Sequence, residues 1–299
     1  MFHLQPGEIA AMTSDAEITE TANAEQTTYW NDVGGPKWVR YADMLDLQLN
    51  GIGQDVIDAV RPGAGQTVLD VGCGSGSTTL ALGRLVGPFG RATGIDLSRP
   101  MLELARQRAE AASMPQVTFE EADAQTHHFE RRYDFLFSRF GVMFFDDPVR
   151  AFTNLHTALR PKGRMAFVCW QSLPYNPWMA VPMMAALKHI TMQTPPSPDA
   201  PGPFSFADKN RVKSILSDAG FQSVSVVGHE VSLTIGGGGD AAAATDFLLD
   251  MGPLARALPD VDTAVRQAIT RDVFESLSDY AGADGVRMPG AVWIVTAEA

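Results

Sequence analysis

The sequence predicts an α/β fold: a seven-stranded, mostly parallel sheet with helices on both faces and helical cover insertions. Two observations carry this. Between residues 67 and 170 short apolar runs alternate with stretches of helical periodicity, the pattern of strands joined by crossover helices. Successive runs then end on or just before an acidic residue, Asp70, Asp96 and Asp123, where a parallel sheet presents its ligands.

The elements follow in order. Thr67–Val71 is a short apolar strand, and Thr78–Val86 a helix behind its glycine turn. Arg91–Ile95 is the second strand and stops at Asp96. Ser98 is placed to cap the next helix, with Pro100 in its first turn and Met101, Leu102, Ala105 and Ala109 on one face. Val117–Glu120 and Tyr133–Ser138 are the third and fourth strands. Asp147-Pro148 opens a helix carrying Phe152, Leu155 and Leu159, and Pro161-Lys162-Gly163 turns the chain into a fifth strand, Arg164–Trp170.

Beyond Trp170 the alternation breaks. Residues 171–207 are rich in Pro, Met and aromatics, with Pro195-Pro196-Ser197-Pro198 as a stiff linker. A helix follows Asp208 and stops at Gly220, and Gln222–Ile235 is a strand. Gly236–Gly239 reads as a flexible break before helical stretches around Ala241–Leu258 and Val261–Tyr280, and Ala291–Thr296 closes the sheet. The expected organisation is an N-terminal arm, residues 1–37 and partly disordered, then one domain over 38–299. Segments 171–207 and 236–290 are insertions that join the arm as a cover over one edge.

Composition removes several classes of function. A net charge of −12 opposes a nucleic-acid partner, because phosphate binding needs clustered Lys and Arg. The densest basic pair, Arg131-Arg132, reads as a solvated turn. No apolar run approaches the roughly 18–20 residues that span a bilayer, and the N-terminus lacks the pattern of a secretory signal. Cys73 and Cys169 make neither a zinc site nor a disulfide framework, so no metal is expected and the expected compartment is the cytoplasm. An oligomer is neither required nor excluded.

The strongest motif is Leu69-Asp70-Val71-Gly72-Cys73-Gly74-Ser75-Gly76, a glycine turn at a strand–helix junction. Its spacing is G-x-G-x-G, with Ser77 where a dinucleotide fingerprint puts its third glycine, and no Gly-Lys-Ser/Thr follows as in a phosphate loop. Asp70 in the strand end would repel a pyrophosphate and accept a cationic ligand. Asp96 lies where a carboxylate accepts from ribose hydroxyls. Asp123 can accept from an adenine amino group, and Ala124 can offer its backbone N–H to a ring nitrogen.

With these residues in place, the chain resembles the class I S-adenosylmethionine-dependent methyltransferases, in the group related to ubiquinone and menaquinone biosynthesis. The likeness is strong over residues 38–170 and weak elsewhere. Ser138-Arg139-Phe140-Gly141-Val142-Met143-Phe144-Phe145 and Ala122-Asp123-Ala124-Gln125-Thr126-His127 resemble a large bacterial subgroup. The resemblance implies a Rossmann-like sheet with one antiparallel strand, and S-adenosylmethionine as cofactor. It implies a cofactor site of Asp70, Gly72, Cys73, Gly74, Asp96, Leu97, Met101, Asp123, Ala124 and Ser138. Gly72, Gly74 and Ser138 would lie by the methionine portion, Asp96 by the ribose, Asp123 and Ala124 by the adenine.

The expected reaction is methyl transfer to a small, partly apolar or aromatic molecule at oxygen, carbon or sulfur. Such a displacement draws much of its catalysis from alignment, so it needs no catalytic motif. Ser138-Arg139-Phe140-Gly141 stands where methylases of planar amino nitrogens carry Asn/Asp-Pro-Pro-aromatic, which disfavours base and glutamine methylation. Candidate pocket walls are Trp30, Trp38, Met143, Phe144, Trp170, Tyr175, Trp178 and Phe204; Met179, Met183 and Met184 read rather as helix core. Candidate bases are His127, His128, His189 and Tyr175, with His128 and Tyr175 put forward for catalysis. The alternatives are a non-catalytic S-adenosylmethionine-binding protein and a nicotinamide-dependent oxidoreductase.

Overall fold

The central apolar runs pair as strands that are buried along most of their length, while the runs at the two edges of the sheet stay partly exposed. In the computed structural model, which describes residues 23–191, 197–252, 254, 255, 258 and 261–299, these runs join into one sheet. The helices before it are α1 (Ala24–Tyr29), a π-helical turn (Trp30–Gly34), α2 (Gly35–Arg40) and α3 (Ala42–Val60). The alternating part is β1 (Thr67–Val71), α4 (Ser77–Val86), β2 (Arg91–Asp96), α5 (Arg99–Ala111), β3 (Val117–Glu121), β4 (Tyr133–Arg139), α6 (Pro148–Ala158) and β5 (Leu159–Trp170). Then come α7 (Pro177–Ala186), α8 (Lys209–Asp218), β6 (Gln222–Ile235), α9 (Ala241–Asp250), α10 (Thr263–Ser278), β7 (Ala281–Gly282) and β8 (Gly285–Glu298).

The strand order is β3-β2-β1-β4-β5-β8-β6, with β7 hairpinned onto β8. Pairings from β3 through to β5 are parallel, while β8 runs antiparallel to both β5 and β6. The expected sheet with one antiparallel strand is therefore present, extended by the two-residue β7. Chain direction fans outward from β1 to β3, then returns to β4 on the other side of β1. That reversal opens a crevice between the carboxyl ends of β1 and β4, where open α/β sheets bind ligands.

Several local readings change. Leu159 is not the last turn of a helix: α6 stops at Ala158, and Leu159 pairs with Tyr133 at the start of β5. Lys162, at φ 64°, makes the turn that lets β5 resume against Phe135 at Arg164. The glycines after β6 form an ordered turn, with Gly236 buried against the backbone of Ala244, rather than a flexible break. β8 starts at Gly285, not Ala291, because the hairpin from β7 begins pairing with β6 at Val286. The first expected helical stretch breaks after Asp250, with Leu254 and Ala255 helical again, and the second ends at Ser278. Residues 195 and 196 of the expected Pro-rich linker lie outside the described residues, as do residues 1–22 of the arm. Among the described residues, no helix is long and apolar enough to cross a membrane.

The described part of the arm is helical and packed, not loose. Lys37 Nζ meets Asp250 Oδ1 at 3.0 Å, and Tyr41 donates its hydroxyl to Asp250 Oδ2 at 2.9 Å. Arm and second insertion thus meet at the end of α9. The first insertion is pinned by Asn176, which is 0% exposed. Its Nδ2 donates to the carbonyls of Gln171 (2.9 Å) and Ala291 (3.2 Å), and its Oδ1 accepts from the Ala291 N–H (3.0 Å). Asn176→Ala should destabilise the protein by about 2–4 kcal/mol in urea unfolding, since buried backbone groups lose their partners. A loss well below 1 kcal/mol would mean that α7 is anchored by packing alone.

Candidate active site at the carboxyl ends of β1, β2 and β4

The glycine turn is shaped by how closely β1 and β4 approach. A Cβ on Gly72 would sit 2.6 Å from Gly141 Cα, and Gly72 has φ 66°, so no side chain is tolerated there. Ser138 tightens the facing turn by accepting the Gly141 N–H at 3.2 Å. Gly74, at φ 54°, differs: a Cβ there would meet only Met101 Sδ at 3.7 Å, leaving its outer side open.

Three carboxylates stand behind this turn in distinct states. Asp70 is buried, and its Oδ2 accepts the hydroxyls of Thr78 (2.7 Å) and Thr79 (2.6 Å) in the first turn of α4. Its Oδ1 is buried with no hydrogen-bond partner among the described residues. Burial pushes this carboxyl up to about 6, against the two threonines and the Arg139 charge, which pull it down. Asp96 accepts the Gly74 N–H on Oδ2 (2.8 Å) and the Ser98 N–H on Oδ1 (2.9 Å), and burial raises its pKa against those bonds. It ties the turn to the start of α5. Ser98 is consequently not a side-chain cap: its Oγ donates to the Trp30 carbonyl at 2.8 Å.

The third carboxylate, Asp123, is held from the arm. Asn23 Nδ2 donates to its Oδ1 (2.9 Å) and Oδ2 (3.0 Å), and the Gln125 N–H adds a bond to Oδ1 at 2.9 Å. Leu97 accepts on its carbonyl from Asn31 Nδ2 at 2.9 Å, and Ala124 accepts from Asn154 Nδ2 at 2.9 Å. Met101 is buried beneath Gly74. Cys73 packs under the turn: its Sγ donates to the Gly74 carbonyl at 3.8 Å and lies 2.7 Å from the Cβ position of Gly94, and burial pushes its thiol well up.

A cleft beside the turn is lined by Trp38, Asp46, Gly72, Gly74, Ser77 and Arg139, among others. Sequence reasoning missed Arg139. Its guanidinium donates to Asn50 Oδ1 (2.8 Å) and Ser77 Oγ (3.3 Å) and faces Asp46 at 3.7 Å. Its signal was a lone cation at the end of an otherwise apolar strand. Asn23 and Asn31, from the arm, left no signal at all.

Aromatic residues gather in two groups. Trp30 meets Trp38 and Phe144 edge-on, at 5.9 and 5.2 Å between centroids. Phe140 stacks on Trp170 at 4.3 Å, and Trp170 packs on Trp178 at 5.1 Å. Met143 is buried and Phe204 partly buried in the core. Tyr175 does not join them: it is 63% exposed. His128 is exposed on its loop, His127 packs on Phe129, and His189 bonds Asp272 between α7 and α10. None of these four candidate bases lines the cleft, because their segments leave the strand ends for the surface.

This geometry agrees with the relationships of the sequence. Residues 68–163 match a methyltransferase domain family. The aklanonic acid methyltransferase of Streptomyces sp. strain C5 is 30% identical over 152 residues, 48% of this chain and 69% of that protein. The chain belongs to the class I S-adenosylmethionine-dependent methyltransferases. A demethylmenaquinone methyltransferase from Staphylococcus aureus is 37% identical over 109 residues, so the methyltransferase match spans 36% of this chain and 44% of that protein. The methyltransferase fold recurs in a putative methyltransferase from Bacillus halodurans, with TM-score 0.54 at 15% identity over 83% of this chain and 98% of that one.

Asp70 gives the methyltransferase a pH signature. Its folded pKa lies near 6, above the ordinary aspartate value of about 3.9, so the folded state holds the proton more tightly. This contribution to stability is complete below about pH 4 and is lost as pH rises through about 6. Asp70→Asn should therefore be more stable than the wild type at pH 8 by about 2–3 kcal/mol, the difference closing towards pH 4. Urea unfolding at both pH values checks it; a pH-independent difference would contradict the protonation argument.

Proposed function

We propose that this methyltransferase uses S-adenosylmethionine to methylate a small, partly apolar or aromatic molecule at oxygen, carbon or sulfur. The observation that carries the reading is the row of carboxylates Asp70, Asp96 and Asp123 across the ends of adjacent strands, with an open glycine turn at its centre. The residues present fit the cofactor. Asp70 Oδ1 is a buried acceptor awaiting a donor such as an ammonium group, and a buried carboxylate oxygen left without one is costly. The uncovered side of Gly74 is a cradle that any Cβ would fill.

In this reading Gly72 and Gly74 seat the methionine portion, with Cys73 holding the turn to β2 through its N–H on the Ile95 carbonyl. Ser138 braces the facing turn. Arg139, half-buried and lining the same cleft, offers a positive charge to the methionine carboxylate. Asp96 accepts from the ribose while Leu97 and Met101 flank it, and Asp123 with Ala124 reads the adenine. Bound there, S-adenosylmethionine supplies a methyl carbon already activated by its sulfonium. The chain's own part is alignment and exclusion of water, by the turn below and by Trp30, Trp38 and Phe144 above.

The relatives named for aklanonic acid and demethylmenaquinone support a small-molecule acceptor. Two measurements test the proposal. S-Adenosylhomocysteine should bind in calorimetry, and Asp96→Ala should weaken it by about 1.5–3 kcal/mol, the range for hydrogen bonds to a charged group. Mixed with S-adenosylmethionine and a panel of small phenols, thiols and enolisable ketones, the protein should release S-adenosylhomocysteine with at least one. Normal binding with no turnover across the panel would instead support the non-catalytic alternative.

A further inference from the structure

Asn23 is 4% exposed, lies one hundred residues from Asp123, and is held in a left-handed backbone conformation at φ 53°. Every polar atom of its side chain is engaged. Nδ2 sits 2.9 and 3.0 Å from the two Asp123 oxygens and 3.3 Å from Gln125 Oε1, while Oδ1 accepts the Asp146 N–H at 2.8 Å. A nitrogen near-equidistant from both oxygens stands in front of the carboxylate, where an incoming amino group would donate.

The rest of the arm follows the same track. Asn31 bonds the Leu97 carbonyl through Nδ2 and the Arg99 N–H through Oδ1, at 2.9 and 3.1 Å. The Trp30 carbonyl takes the Ser98 hydroxyl. The approach leaves no slack: a Cβ on Gly35 would fall 2.2 Å from Ser98 Oγ. Residues 23–31 therefore contact the loops at 97–99 and 123–125, the two that the proposed function assigns to ribose and adenine.

We infer that Asn23 and the adenine amino group bind Asp123 in exchange, which makes Asn23 a residue that sets cofactor affinity. The inference rests on the reading of Asp123 as the adenine contact. The Asn23 carboxamide is a neutral NH₂ donor, chemically the counterpart of the adenine amino group, so each satisfies the partly buried edge of Asp123 when the other is absent. The arm thus closes the adenosine end until cofactor displaces it, and the energy of the Asn23–Asp123 contact is subtracted from cofactor binding.

Asn23→Gly is the informative variant, because glycine keeps the left-handed backbone and removes only the carboxamide. In calorimetry on the full chain it should bind S-adenosylhomocysteine roughly tenfold more tightly than wild type, about 1.4 kcal/mol. S-Inosylhomocysteine, with a carbonyl in place of the amino group, should gain nothing. A chain lacking residues 1–23 should repeat the S-adenosylhomocysteine gain, which covers the case of a poorly folded point variant. Unchanged or weaker S-adenosylhomocysteine binding by both variants overturns the exchange, as does an equal gain for the inosyl analogue. Asp123→Ala separates the two levels. If it leaves S-adenosylhomocysteine binding intact, the adenine assignment itself fails. If it weakens binding while Asn23→Gly gains nothing, only the exchange fails.

Discussion

The bidentate hold of Asp96 on two backbone amides organises this end of the sheet. One oxygen takes the Gly74 N–H and the other the Ser98 N–H, so a single carboxylate at the end of β2 fixes both the turn after β1 and the start of α5. Charge-assisted bonds of this kind are the stronger class, and burial leaves little water to compete for them. A carboxylate has about four lone-pair positions, and two remain for ligand hydroxyls. In the proposed function, structure and recognition draw on the same group.

Around that hold, the molecule resolves two opposing requirements. The backbone must come close to a ligand, which Gly72 and Gly74 allow, yet the open end of a sheet must be closed to water during transfer. Closure comes from parts distant in sequence. The arm binds loops after β2 and β3, and Lys37 and Tyr41 fasten it to Asp250 at the end of α9. Asn176 holds α7 onto β8 from the other side. These segments are thus tied down by polar contacts with single residues, Asp250 on one side and Asn176 on the other.

What was legible in the sequence follows from range. The first four strands, the helix starts at Asp147 and after Asp208, and the strand Gln222–Ile235 rest on local periodicity and turn chemistry, and they stand within a residue of where expected. The carboxylates were visible because strand ends can be read from the residues beside them. β8 extends beyond the apolar run Ala291–Thr296 because Pro289 and Gly290, a turn-like pair in sequence, lie within the strand. There the strand has already outrun β5, whose last partner is Val292, and proline is tolerated beside a single neighbour. Ser98 failed as a cap because a carbonyl 68 residues away claims its hydroxyl. Asn23 and Asn31 were invisible for the same reason: their partners lie on loops that only the fold brings near.

The most direct measurement is a crystal structure with S-adenosylhomocysteine bound. The account predicts ribose hydroxyls within hydrogen-bond distance of Asp96, the adenine amino group on Asp123, and the Asn23 side chain displaced from it. Adenosine bound away from both carboxylates, with Asn23 still in place, would contradict it.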